Sequence, residues 1–182
     1  MRNRPKNNWL KSPFVRMGRD ENGATAIEFS ILAIPFVMIV FAVLETSLSF
    51  TAQEVISNSV DKISRQIRTG QIDATTTTKA QFRQLICDDI KLLVDDSCPE
   101  LEFDLKSYAN FSAVPKTIPM SSPTVLNTSG FTYAPGGSET INHLRVFYRW
   151  PVITDIMKQH LAGLEDGKTL LFSSSTWQNE PF

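Results

Sequence analysis

Gly23, Ala24 and Glu28 are the residues of this 182-residue chain whose types and spacing can do chemistry. Gly23 closes a basic leader, and a carboxylate five residues later stands at the head of a long apolar run. A charged side chain inside a membrane helix costs about 2.5–3.5 kcal/mol on insertion scales, so its presence there calls for a function. One reading covers all three residues. A peptidase cuts after Gly23, the new amine of Ala24 becomes a cation, and Glu28, next to Phe29, pairs with such an amine on a neighbouring subunit.

Other reactive residues are few. Cys87 and Cys98 are the only cysteines, and an even count in an exported segment reads as one disulfide. Two free buried thiols are the alternative. Asp88, Asp89, Asp95, Asp96, Glu100, Glu102 and Asp104 form an acidic cluster. It lacks the D-x-[DN]-x-[DN]-G pattern of a calcium loop and reads as a solvated face. His143 and His160 are at ligand spacing from neither cysteine, which argues against a metal site, and they read as structural or surface residues. No phosphate loop, dinucleotide fingerprint, nucleophile elbow or zinc signature is present. The expectation is a protein that is not an enzyme, with no cofactor and no nucleic-acid partner.

The elements that position Glu28 begin with a membrane span. Phe29–Leu44 is 16 residues without a charge, and only Glu28 and Glu45 are charged between Ala24 and Phe50. The uncharged core measures roughly 24 Å along a helix, and about six flanking residues complete a bilayer core of ~30 Å. Arg2, Arg4, Lys6, Lys11, Arg16 and Arg19 precede Gly23 against Asp20 and Glu21. This bias predicts a cytoplasmic N-terminus and an exported C-terminus. The formal net charge of −1 therefore conceals a basic tail and an acidic remainder. A cleavable secretory signal, the core helix of a soluble protein and an uncut single-pass anchor are the competing readings. Pro35 removes the amide that would bond Ile31, so a kink or local opening is expected there.

Beyond the span, Leu48, Ala52, Ile56, Val60, Ile63 and Ile67 recur at helical spacing. Gly70 follows Arg65 and Arg68 as a stop, giving one helix over 24–69 of about 69 Å. Two helices meeting near Glu45–Ser49 are the alternative. Thr78-Lys79-Ala80-Gln81 fits a capping box that opens a second helix, marked by Phe82, Leu85, Ile86, Ile90, Leu93 and Val94 and ending near Asp95. Leu101, Phe103 and Leu105 alternate with polar residues as a half-buried strand continuing towards Phe111. Residues 113–140, with Pro115, Pro119, Pro123, Pro135 and the pair Gly136-Gly137, read as a long loop. Leu144, Val146, Tyr148 and Trp150 line one face of a second strand, with Arg145 and Arg149 opposite; Pro151 ends it or puts it on an edge. Ile153–Leu161 reads as a short helix and Lys168–Trp177 as a third strand. The expected class is α+β: a long membrane-spanning helix continuing past the bilayer, a second helix, and a small antiparallel sheet of about three strands packed on the spine. The division expected is a basic cytoplasmic leader over 1–23, a transmembrane helix over 24–50 and an exported domain over 51–182.

The leader-Gly-xxxx-Glu-Phe pattern followed at once by a span resembles the class III signal of type IV pilins and pseudopilins. The stretch RDENGATAIEFSILAIPFVMIVFAVLE more closely resembles the opening of the TadE-like family, minor pseudopilins and assembly proteins of the bacterial tight-adherence (Tad/Flp) pilus. The matching residues are Arg19-Asp20-Glu21, Gly23-Ala24, Glu28-Phe29, Pro35 and Glu45. The ending SSSTWQNEPF is similar to that family's C-terminal strand and final motif. The resemblance implies cleavage between Gly23 and Ala24 by a dedicated prepilin peptidase and registration of the subunit by Glu28. The implied partners are other pilins or pseudopilins, the inner-membrane Tad assembly platform and the lipid bilayer. It further implies a single-pass protein of the inner membrane with a periplasmic C-terminal domain. The chain departs from many type IV pilins in its long leader and in having alanine after the cut. An uncleaved single-pass scaffold that recruits secretion components through its periplasmic domain is the alternative function.

Overall fold

The computed structural model describes residues 21–182. The basic leader residues Arg2–Arg19, on which the predicted orientation rests, lie outside the described residues. The first element is helix α1, Glu21–Arg68, 48 residues with Pro35 inside it. The chain falls into two compact units, one ending at Leu44 and the other running Glu45–Phe182. Among the described residues, α1 alone contributes to both.

In the first unit the apolar side chains of α1 face outward on every side. Phe29 is 71% exposed, and Ile31, Leu32, Ile34, Phe36, Ile39, Phe41 and Val43 are exposed as well. A helix apolar all round needs an apolar environment on all faces. α1 is long and apolar enough to cross a membrane.

In the second unit α1 changes character. Ala52, Ile56, Val60, Ile63 and Ile67 are buried, whereas Leu48, the first member of the expected stripe, stays exposed. Gly70 ends the helix with φ +75°, a left-handed conformation that glycine adopts without penalty. A Cβ at Gly70 would lie 2.8 Å from Cγ of Phe182, so the last ring of the chain covers the turn. Helix α2, Lys79–Ile90, opens with the expected capping box: Gln81 N–H donates to Thr78 Oγ1 and Thr78 N–H donates back to Gln81 Oε1. α2 ends short of the expected Asp95. The chain turns at Lys91, and Cys98 adopts φ +44° to reach its disulfide partner Cys87. Leu93 and Val94 pack on the core from that turn rather than from the helix.

The sheet is built from β1 (Leu101–Tyr108), β4 (Tyr133–Ala134), β5 (Ile141–Pro151) and β6 (Lys168–Gln178), in the order β4-β1-β5-β6. β1 and β6 both run antiparallel to β5, with Phe103 and Ser173 opposite Val146. β4 joins β1 in parallel, a fourth strand absent from the three-strand expectation. It is two residues long and has no periodicity to read. Backbone geometry holds it: Leu105 N–H donates to Thr132 O at 2.9 Å, and Thr132 N–H donates to Asp104 Oδ1 at 2.9 Å. The expected long loop over 113–140 also contains the hairpin β2 (Met120–Ser122) with β3 (Val125–Leu126), turning at Pro123-Thr124. Helix α3, Asp155–Leu161, separates β5 from β6. Leu101, Phe103, Leu105, Leu144, Val146 and Tyr148 face the α1–α2 pair and complete one core, so the fold is α+β with the sheet packed on the helical spine.

Candidate functional site

Gly23 and Ala24 lie in the first turns of α1, and Glu28 follows them one turn on. Glu28 and Phe29 are both exposed. Among the described residues Glu28 has no hydrogen bond or ion pair. Ser30, two positions on, spends its hydroxyl on its own helix, donating to Ala26 O at 2.8 Å. An unpaired carboxylate in a low-dielectric medium attracts any cation far more strongly than in water, and carries a desolvation penalty until it finds one. Glu28 is thus a carboxylate open to a donor or a cation from outside the described residues.

Glu45, the second acid on the apolar stretch, has the opposite status. It is 5% exposed and its carboxylate is fully occupied within the second unit. It accepts from the N–H groups of Ile153 and Thr154 and from the Thr154 hydroxyl. Thr154 is the N-cap of α3 but makes no cap bond of its own; Glu45 holds the residues just before the helix, and a carboxylate near that helix start also suits the helix dipole. Sequence reading placed Glu45 at the far end of the span without a role. Its partner is 108 residues away in sequence, beyond the reach of any local pattern.

Several other polar residues tie elements together. Gln53 lies beside β6 and satisfies its edge at Phe172, accepting from the N–H at 3.1 Å and donating to the carbonyl at 2.8 Å. Asp89 joins the helices, taking Lys62 Nζ at 2.7 Å and Ser59 Oγ at 3.0 Å. The tail ties back to α1: Glu180 N–H donates to Arg68 O at 2.9 Å, and the Arg68 guanidinium meets Glu180 Oε1 at 3.0 Å. Asn179 donates to the carbonyls of Gly136 and Gly137.

Asp104 corrects the reading of the acidic cluster as a solvated face. It is 1% exposed and bonded to Arg145 at 2.6 Å. Arg145 is buried as well, because residues 109–132 fold across that face and stack Phe131 on Phe147, with Phe172 on the other side. His143 is buried beside them with Nδ1 2.7 Å from Thr176 Oγ1. Burial, and secondarily the Arg145 charge, holds its pKa below the usual histidine value. Among the described residues no group of three or more His, Cys, Asp or Glu is placed to hold a metal ion.

Residues 23–65 match the family model described as TadE-like protein, the family that the opening of the chain resembles. The match takes in Gly23, Glu28, Pro35 and Glu45 and ends inside α1, so the sheet lies beyond it. Neither a search of curated proteins nor a search of solved structures finds a match.

Proposed function

We propose that the chain is a minor pseudopilin or membrane-anchored assembly component of a Tad-type (Flp) pilus system. The observation that carries this reading is the coincidence of the TadE-like match over residues 23–65 with a helix long and apolar enough to cross a membrane, whose Glu28 has no partner among the described residues. The span inserts in the inner membrane with its N-terminus cytoplasmic, and the Glu45–Phe182 unit folds in the periplasm. A prepilin peptidase cuts between Gly23 and Ala24. Glu28, beside Phe29, then pairs with the free amine of a neighbouring pilin or pseudopilin, which sets the register of lateral assembly. The role is non-enzymatic: the periplasmic unit supplies a rigid, disulfide-closed surface to the assembly platform.

Substitution of Glu28 tests the pairing. Glu28→Gln and Glu28→Ala remove a charge that costs about 2.5–3.5 kcal/mol to insert at the centre of a span and less near its end, so both variants enter the membrane at least as well as the parent. Both lose incorporation into the pilus system, measured by co-isolation with other pilus components and by counting pili. Normal piliation in either variant contradicts the mechanism. Gly23→Ser, or a larger residue there, leaves the leader attached; a mature N-terminus unchanged from the parent's contradicts the cleavage site.

A further inference from the structure

β5 carries a second, more polar surface on the side of the sheet turned away from the α1–α2 pair. Leu144, Val146 and Tyr148 enter the core between sheet and helices, so alternation puts His143, Arg145 and Phe147 on the other face. The register sets Thr176 opposite His143, Ser174 opposite Arg145 and Phe172 opposite Phe147. Against this floor runs the segment that begins at Phe111. Asn110 caps the turn Phe111–Ala113, its Oδ1 accepting from Ala113 N–H at 2.9 Å, and Pro115 restricts the backbone that follows. Floor and segment border a cavity of about 330 Å³, within the roughly 300–1,000 Å³ of small-molecule sites.

The donors along this cavity are unequally satisfied. Arg145 lines it, with Nη2 bonded to Asp104 Oδ2 at 2.6 Å and Cζ 5.8 Å from the centre of the Phe131 ring. Its Nε–H is buried and has no acceptor among the described residues. A buried donor left without an acceptor is costly and calls for an explanation; an oxygen brought by a ligand supplies one. Lys116 lines the same cavity, is exposed, and makes no ion pair among the described residues. No Asp or Glu lines it among the described residues. The Asp104 carboxylate is already taken up by Arg145, by Thr132 N–H at 2.9 Å and by Lys106 at 3.3 Å.

We propose that this cavity binds a small organic monocarboxylate. The carboxylate pairs with the Lys116 ammonium and takes the Arg145 Nε–H as the ligand displaces the side chains that now shield it, a rotamer change of the kind common on binding. Ser174 offers a further hydroxyl. Phe111, Val114 and Phe172 on the same cavity give the hydrocarbon body an apolar wall, which an inorganic ion would leave unused. One negative charge fits better than two, because Asp104 already offsets the Arg145 charge and repels a second anion beside it. The site lies within the Glu45–Phe182 unit and is independent of the membrane reading of α1.

Titration of the ¹⁵N-labelled full-length protein in uncharged detergent micelles with sodium benzoate, at constant ionic strength against chloride, tests the proposal. Benzoate is expected to shift the Arg145 side-chain Nε–H signal and the amides around 111–117 and 172–176, and to saturate. Neutral benzamide is expected to bind at least several-fold more weakly. Lys116→Gln should weaken benzoate binding several-fold, and Ser174→Leu, which fills the cavity from β6, should abolish it. Both residues are exposed, so the spectra away from the cavity should match the parent's. Benzamide binding as tightly as benzoate would overturn the assignment of a carboxylate. Inorganic phosphate displacing benzoate at equal concentration would overturn it too, by marking a general anion site. Absence of saturable shifts, or shifts that survive both substitutions unchanged, would overturn the site itself.

Discussion

Removing the Arg145 guanidinium leaves Asp104 charged and buried, with only the more distant Lys106 ammonium at 3.3 Å to balance it. Breaking a buried pair from one side costs about 3–5 kcal/mol, whereas replacing both members by apolar residues of similar size costs far less. Arg145→Ala is therefore expected to lower the denaturation midpoint strongly, and Asp104→Leu with Arg145→Met to recover most of the loss; a near-neutral Arg145→Ala contradicts the pairing. His143 makes a pH prediction. Its folded pKa is depressed, first by burial and then by Arg145, so the folded state binds fewer protons than the unfolded state. Stability is then full above the unfolded value of about 6.5 and falls as the pH drops from there through the folded pKa. Melting temperatures between pH 7.5 and 5.5 are expected to show this slope in the parent and a shallower one in His143→Gln. The structural role of His143 was legible in the sequence, which offers it no catalytic partner. The burial of Asp104 and Arg145 was not, because strict alternation in β1 and β5 assigns them to a second face, and nothing local says that residues 109–132 cover that face.

At the scale of elements, periodicity carried most of the reading. α1 and α2 announce themselves by a 3.6-residue repeat and β1 and β5 by alternation of two, whereas β6 shows only a composition rich in Leu, Phe, Ser and Thr. β4 and the β2–β3 hairpin have two or three residues per strand, too few to show a period, and pairings over long separations define them. The disulfide between Cys87 and Cys98 closes a short loop from α2 to the turn before β1. In the chain-entropy model such a closure contributes about 3 kcal/mol. Changing both cysteines to serine is expected to cost a comparable amount in denaturant titration, and an unchanged midpoint contradicts that contribution. Glu45→Ala leaves the N–H groups of Ile153 and Thr154 and the Thr154 hydroxyl without this acceptor, at about 1–3 kcal/mol for a buried group left unsatisfied. Faster amide exchange confined to residues 152–156 is the expected signature. Uniform protection there contradicts the role assigned to Glu45.

For the whole molecule, the two units divide the work. The helix segment ending at Leu44 exposes its large apolar side chains and is long and apolar enough to cross a membrane. The Glu45–Phe182 unit carries its own core, disulfide and tail clasp. The TadE-like match takes in residues 23–44 of the first unit and only the beginning of the second, which is why the apolar helix was recognisable from sequence while the topology of the sheet had to come from the structure. Cleavage is central to the proposed assembly, in which Glu28 pairs with the free amine that the cut would expose on a neighbouring chain. The most direct measurement is the intact mass and N-terminal sequence of the protein isolated from native membranes. The account predicts a chain beginning at Ala24 and lacking residues 1–23; protein that still begins at Met1 contradicts it and leaves the uncleaved scaffold in its place.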